Sequence, residues 1–261
     1  MRSLSIAATG MLAQQLNVEV ISNNIANMAT TAFKRQRPEF QDLLYQSQLT
    51  VGSTSSDTGT VVPAGIQIGL GVRTASVYRI TEQGNIMGTN STFDLAVQGK
   101  GWFQVLLPSG ETGYTRAGSF QLSPNGEIVT SDGYPVQPSI TIPADATEVS
   151  INPSGSVEVK QVGQITPSNV GTFTLVNFPN EAGLESIGNN LMLETASSGA
   201  AVSGTPGLSG LGTLLQGFLE TSNVNSVSEI TNLIKAQRAY EMNSKVITTS
   251  DEMMAAVSQL R

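Results

Sequence analysis

Any catalysis by this chain has to rest on carboxylates, because its 261 residues include neither histidine nor cysteine. That absence removes the usual general base near neutral pH, the imidazole and thiolate metal ligands, and every Ser-His or Cys-His nucleophile arrangement. What is left is an acid/base pair of the glycosidase kind drawn from Asp94, Glu111, Glu127 and Asp132, and nothing in their spacing demands one. The lone Gly99-Lys-Gly101 is no phosphate loop, since the remaining glycine and Ser/Thr spacing is missing. The reading is of a chain that is not an enzyme and that holds neither cofactor nor metal.

Binding chemistry is equally sparse. The net charge of −7 gives no electrostatic drive toward a phosphate backbone, so nucleic acid is not an expected partner. Lys34, Arg35 and Arg37 form one short basic cluster, which reads as a solvated collar at a helix end. Trp102 and Tyr114 are either ligand contacts of a secreted β-rich binding module or core aromatics among apolar neighbours. No apolar run reaches the ~18 residues that a membrane span needs, so no membrane insertion is expected. The opening stretch carries Arg2 but is interrupted by Thr9 and Gly10, and reads as helix rather than signal peptide. Charged residues make up 13% of the chain, about half the usual share. A surface solvated by neutral polar groups repels its own copies weakly, which suits self-association and also suits secreted β-proteins.

The elements that would carry such association lie at the two ends. Leu4, Met11, Val18 and Ile25 recur at seven-residue steps, with Ala7, Ile21 and Met28 three places after their partners and Gln14 the one break. That spacing predicts a coiled-coil seam. Between residues 1 and 32 the only charged residues are Arg2 and Glu19, so the outer face of this helix expects cover too. Asn23, Asn24 and Asn27 read either as bonds across helices or as polar residues of a helix end. Near the other terminus Ser226-Val-Ser-Glu229 has capping-box spacing. Behind it Leu233, Tyr240, Ile247 and Met254 form one heptad series, and Ala239, Val246, Met253 and Leu260 a second. The two stripes make a face wide enough for more than one partner helix, although a single-chain helical pair would also use it. The expected subunit interface is Leu4, Met11, Val18, Ile21, Ile25, Met28, Leu233, Tyr240, Ile247, Met254 and Val257. Both helices are expected to be largely disordered or fraying in the free monomer and to become fixed when neighbours cover them.

Between the ends the pattern changes. Pro38 can open a short helix through Phe40, Leu43, Leu44 and Tyr45. Residues 46–71 are rich in Ser, Thr and Gly and read as an extended arm or a disordered linker. From Val72 to Leu211 short apolar runs alternate with turn formers such as Pro124-Asn-Gly126 and Asp132-Gly133, which predicts a β-rich region. Strands are expected at 93–97, 102–107, 128–129, 134–136, 140–142, 149–151, 157–159, 173–178 and 191–193. The predicted fold is α+β: a discontinuous terminal α-helical coiled-coil domain (1–34 and 226–261), a connector with an extended arm (35–72 and 212–225), and an inserted antiparallel β-rich domain (73–211).

Three ordered blocks carry a resemblance. They are Ile21-Ser-Asn-Asn-Ile-Ala-Asn27 with Thr30-Thr-Ala-Phe-Lys-Arg35 and Phe40-Gln-Asp-Leu-Leu-Tyr45; Gly99-Lys-Gly-Trp-Phe-Gln-Val105 with Tyr114-Thr-Arg-Ala-Gly-Ser-Phe120; and Gly217-Phe-Leu-Glu-Thr-Ser-Asn-Val-Asn225 with Gln237-Arg-Ala-Tyr-Glu-Met-Asn-Ser-Lys245. Together they resemble the bacterial flagellar rod and hook axial family across nearly the whole chain, and residues 62–73 resemble a segment of its distal-rod branch. The resemblance implies a structural subunit that polymerises with its own copies into a torque-transmitting shaft. It also implies export through the flagellar type III apparatus, and neighbours among proximal rod proteins, hook and junction proteins and the surrounding basal-body rings. The place implied is the basal body, in the rod crossing the periplasm, and the arm would bridge adjacent subunits and stiffen the shaft. One departure is Ala32, where relatives often carry glycine; if the backbone there has positive φ, alanine costs stability.

Overall fold

The computed structural model describes residues 2–49, 65–164 and 166–259. The chain is α+β, with helix α1 (Arg2–Ala26) and helix α2 (Ser226–Gln259) at its ends and short strands between. It divides into two compact units, one built from residues 1–26, 36–78 and 225–261, the other from 27–35 and 79–224.

In the first unit α1 packs on α2, and four strands follow α1: β1 (Gln36–Asp42), β2 (Tyr45–Leu49), β3 (Ile66–Gly69) and β4 (Val72–Arg79). β1 pairs with β4, and β2 pairs antiparallel with β3. The short helix expected from Pro38 is therefore not formed. Exposure alternates residue by residue from Gln36 to Phe40, the period of a strand, and Pro38 is tolerated because a two-stranded ribbon is all edge. The arm expected over 46–71 begins and ends in the β2–β3 ribbon, and its residues 50–64 lie outside the described residues. Gly71, at φ +116, brings the chain against α1, where an added Cβ would stand 2.2 Å from Thr9 Oγ1.

Two expectations at the helix ends are corrected. Met28 lies beyond the end of α1, in a turn, and is exposed. At α2 the capping residue is Asn225 rather than Ser226: its Oδ1 accepts from the Ser228 backbone N–H at 3.1 Å, satisfying one of the orphan donors of the first turn. Glu229 is thereby released from the capping box, and it turns inward and is buried.

The second unit is a set of antiparallel pairings. Its five-stranded sheet runs Val136–Gln137, Phe103–Leu106, Thr112–Thr115, Leu191–Leu193, Glu185–Gly188. A three-stranded sheet joins Ala146–Ile151, Ser156–Gln161 and Ser168–Thr172, and Leu95–Gln98 pairs with Thr213–Gln216. Phe103 packs edge-on against Phe120 and Phe173 at 5.1 and 6.4 Å between ring centroids, at the heart of the core. Trp102 and Tyr114 are buried in a second apolar cluster, so they are core aromatics. Residues 140–142 contribute Ile140 and Ile142 to the core without forming a strand; only Thr141 bridges, to Glu127. The turns predicted at Gly126 and Gly133 form, each with positive φ. The four carboxylates weighed for catalysis form no pair with one another among the bonds observed: Asp94 accepts from Thr89 at 2.5 Å, Glu111 from Ser109 and Glu127 from Ser139 at 3.4 Å.

Lys34 is not part of a solvated collar. It is buried, and its Nζ lies 2.6 Å from Glu220 Oε1, while Arg116 Nε lies 2.7 Å from Glu220 Oε2. Arg35 and Arg37 do stay nearer the surface, beside Glu82 and Glu39. The Arg116 guanidinium also donates to the carbonyls of Val97, Gly99 and Gly101. Four stretches that look unrelated in the sequence, around Lys34, Gly99-Lys-Gly101, Arg116 and Glu220, thus meet in one buried ionic cluster. Next to it Gly118 leaves no room for a side chain, since a Cβ there would lie 1.6 Å from the Leu95 carbonyl oxygen.

Ala32 has φ +57, the conformation that its departure from glycine put in question, and its N–H donates to the Glu220 carbonyl at 2.8 Å. Glycine adopts this region without the Cβ clash. Ala32→Gly is expected to stabilise the β-rich unit by about 0.5–1 kcal/mol, read by urea unfolding followed through the single tryptophan, Trp102.

Candidate interaction surface

Helices α1 and α2 meet along a line of small and polar residues. Ser250 Oγ donates to Ser3 Oγ at 3.3 Å, and Asn24 Nδ2 donates to Glu229 Oε2 at 3.3 Å. Between them Gly10 faces Asn243, whose Nδ2 would lie 2.8 Å from a Cβ on Gly10. The three contacts share one register: each step of seven residues up α1 is a step of seven down α2, so the helices run antiparallel, and the same step sets Asn17 level with Ala236. Asn24 also holds the start of β1, accepting from the Gln36 N–H and donating to the Gln36 carbonyl, both at 2.8 Å. Asn24 fills both roles weighed for it, a polar residue in the last turn of α1 and a bond across helices.

The apolar series flank this line. On α2 the series Leu233, Tyr240, Ile247 and Met254 stands four residues on from Glu229, Ala236, Asn243 and Ser250, about 40° to one side at ~100° per residue. Ala239, Val246 and Met253 stand three on, about 60° to the other side. On α1, Leu4, Met11, Val18 and Ile25 are one residue on from Ser3, Gly10, Asn17 and Asn24, about 100° away. These four are half-buried, as are Leu233, Ile247 and Met254; Ile21 is buried, and Tyr240 and Val257 are exposed. Val246 and Met253 are 44% and 62% exposed, and Leu12 on α1 is 66% exposed.

The missed element is the polar line itself. Its signal was available as a second heptad, Ser3, Gly10, Asn17 and Asn24 against Glu229, Ala236, Asn243 and Ser250, but small and polar residues carry no hydropathy contrast. Contact through small residues brings the helices close while leaving the large side chains as apolar shoulders on either side. On α2, Val246 and Met253 stay exposed on one flank of the line and Tyr240 on the other. Among the described residues no helix is long and apolar enough to cross a membrane.

Residues 4–34 match a family model described as flagella basal body rod protein, residues 96–159 one described as flagellar hook protein FlgE/F/G D1 domain, and residues 215–260 one described as flagellar basal body rod FlgEFG protein C-terminal. The chain is 63% identical over 261 residues to the flagellar basal-body rod protein FlgG of Caulobacter vibrioides, covering all of both chains. It is 45% identical to the protein of that name from Borreliella burgdorferi and 39% identical to that from Bacillus subtilis, covering 100% of this chain and 99% of the relative in each case.

Proposed function

The chain belongs to the flagellar basal-body rod protein family, and from that premise we propose that it polymerises with its own copies into the distal rod, the shaft that passes torque to the hook. It is a structural subunit of the basal body, placed in the rod with other flagellar components. The observation that carries the polymer reading is the division of labour on the terminal helices. A polar line holds α1 to α2, and the apolar shoulders that this leaves open are surfaces for neighbouring copies. The seven-residue step of that line supports reading the pair as a coiled coil. In this reading 1–34 and 226–261 form the core of the shaft, 35–72 and 212–225 the connector, and 73–211 the β-rich domain inserted between them. Leu4, Met11, Val18, Ile21, Ile25, Met28, Leu233, Tyr240, Ile247, Met254 and Val257 are the proposed subunit contacts, joined by Leu12, Val246 and Met253. Proximal rod, hook and junction proteins, the surrounding rings and the type III export apparatus are the further partners proposed, and no catalytic role is assigned.

Electron microscopy of the concentrated protein tests this reading. Rods or tubes are the expected result, and dispersed monomers at every concentration would favour a secreted β-rich binding module instead.

A further inference from the structure

The chain passes between its two compact units after residues 26, 35, 78 and 224. Within the β-rich unit one side chain ties the segments next to three of these passages. Asn223 Oδ1 accepts from the Arg35 N–H at 2.7 Å, and Asn223 Nδ2 donates to the carbonyls of Ile80 at 2.9 Å and Glu82 at 3.0 Å. Both amide hydrogens and the amide oxygen are thus engaged. The Asn223 backbone N–H donates to the Phe33 carbonyl at 3.3 Å, and the Ile80 N–H donates to the Arg35 carbonyl at 2.9 Å, so each of the three segments is bonded to the other two. Glu220 reinforces the tie three residues earlier: its Oε1 accepts from the Gly84 N–H at 2.9 Å as well as from Lys34, which also donates to the Glu82 carbonyl at 2.8 Å. Gly84 sits so close to the returning segment that a Cβ would lie 2.0 Å from the Thr221 carbonyl oxygen.

We propose that Asn223 is a positioning residue that makes these passages mechanically one, so that force on the β-rich unit leaves it through three chain segments together and not through one at a time. A single extended segment yields by rotation about its own φ and ψ, whereas three cross-bonded segments can yield only by breaking the bonds between them. The residue type fits the task. Aspartate would keep the acceptor for Arg35 but lose both donors and set a carboxylate against two carbonyl oxygens, and alanine would orphan all three groups. The inference rests on the shaft reading, because only a subunit under torque needs its crossings stiffened.

The experiment compares Asn223→Ala, the milder Asn223→Ser, and Val157→Ala, a core truncation in the same unit. Hydrogen exchange on the soluble full chain is read first. Asn223→Ala should accelerate the amides of Arg35, Ile80 and Thr221 together by about tenfold or more, with Asn223→Ser intermediate and Val157→Ala sparing that set. Acceleration at Arg35 alone would make Asn223 a local cap and overturn the proposal. Rotation against a viscous load is read second. Cells carrying Asn223→Ala or Asn223→Ser should turn as wild type in thin medium and stall or shear their rods in thick medium, while Val157→Ala follows wild type. Equal losses in the asparagine and valine variants, or no loss in either, would overturn it as well. Should the wild-type chain form no rods, the shaft reading fails, and the exchange measurement still decides whether the three segments open as one.

Discussion

Glu220→Gln should cost the β-rich unit roughly 3–5 kcal/mol, the loss that follows when buried charges are stripped of their counter-ion. The shape is kept, but Lys34 and Arg116 lose the one carboxylate between them, with side chains 3% and 7% exposed. Lys34→Met should cost much less, within about 1–2 kcal/mol, because it leaves the Glu220–Arg116 pair intact and removes an ion whose burial is itself unfavourable. The acid side carries a matching signature. Burial alone would raise the Glu220 pKa; the Arg116 charge and then the hydrogen bond and charge of Lys34 outweigh it, and the carboxyl is held below its ordinary 4.5. A group depressed on folding contributes stability that is complete above its ordinary range and is lost as pH falls through the depressed value. Lys34 is shifted down from 10.5, chiefly by burial, so its own pH dependence lies on the alkaline side: stability rises as pH climbs from its lowered value toward 10.5. Urea unfolding followed through Trp102 should therefore show an acid-side slope in the wild type that Glu220→Gln reduces. Equal losses from Glu220→Gln and Lys34→Met would mean that the cluster is not organised around the carboxylate.

Val246→Glu and Met253→Glu should abolish polymerisation while leaving the monomer's stability within about 0.5 kcal/mol, the usual range for exposed positions. In the free chain both side chains already meet water. In a polymer that covers this shoulder each glutamate would be an unpaired buried carboxylate costing several kcal/mol, so the concentration needed for assembly should rise by about 100-fold or more. Sedimentation of assembled from free protein measures it. Substituting Glu at Val162, an exposed residue of the β-rich unit, is the matched control and should assemble as wild type. Undiminished assembly of both shoulder variants would mean that this flank of α2 faces no neighbour.

The terminal helices were legible because seven-residue periodicity survives in a single sequence, whatever the partner. Which stripe faces the partner helix was not, because the contact runs through Gly10, Ser3 and Ser250, residues that a hydropathy pattern passes over. The stretch from Pro38 to Tyr45 has too few apolar residues to separate a short helix from a strand, and pairing of β1 with β4, some thirty residues on, decided it. Lys34 was misread as solvated for the same reason of distance: its counter-ion lies 186 residues away along the chain, and local charge pattern carries no trace of it. Trp102 shows the reverse case, since its apolar neighbours in sequence, Phe103 and Val105, are also buried. Asn24 belongs between the two, visible as a helix-end asparagine and invisible as the partner of Glu229.

A shaft built from this chain requires that α1 and α2 be completed by neighbouring copies. Hydrogen exchange compared between dilute monomer and assembled polymer measures this residue by residue. The backbone amides of α1 and α2 should exchange quickly in the monomer and become strongly protected in the polymer, while those of the core strands Phe103–Leu106 and Ser156–Gln161 stay protected in both. Helices already as protected in the monomer as in the polymer would contradict it.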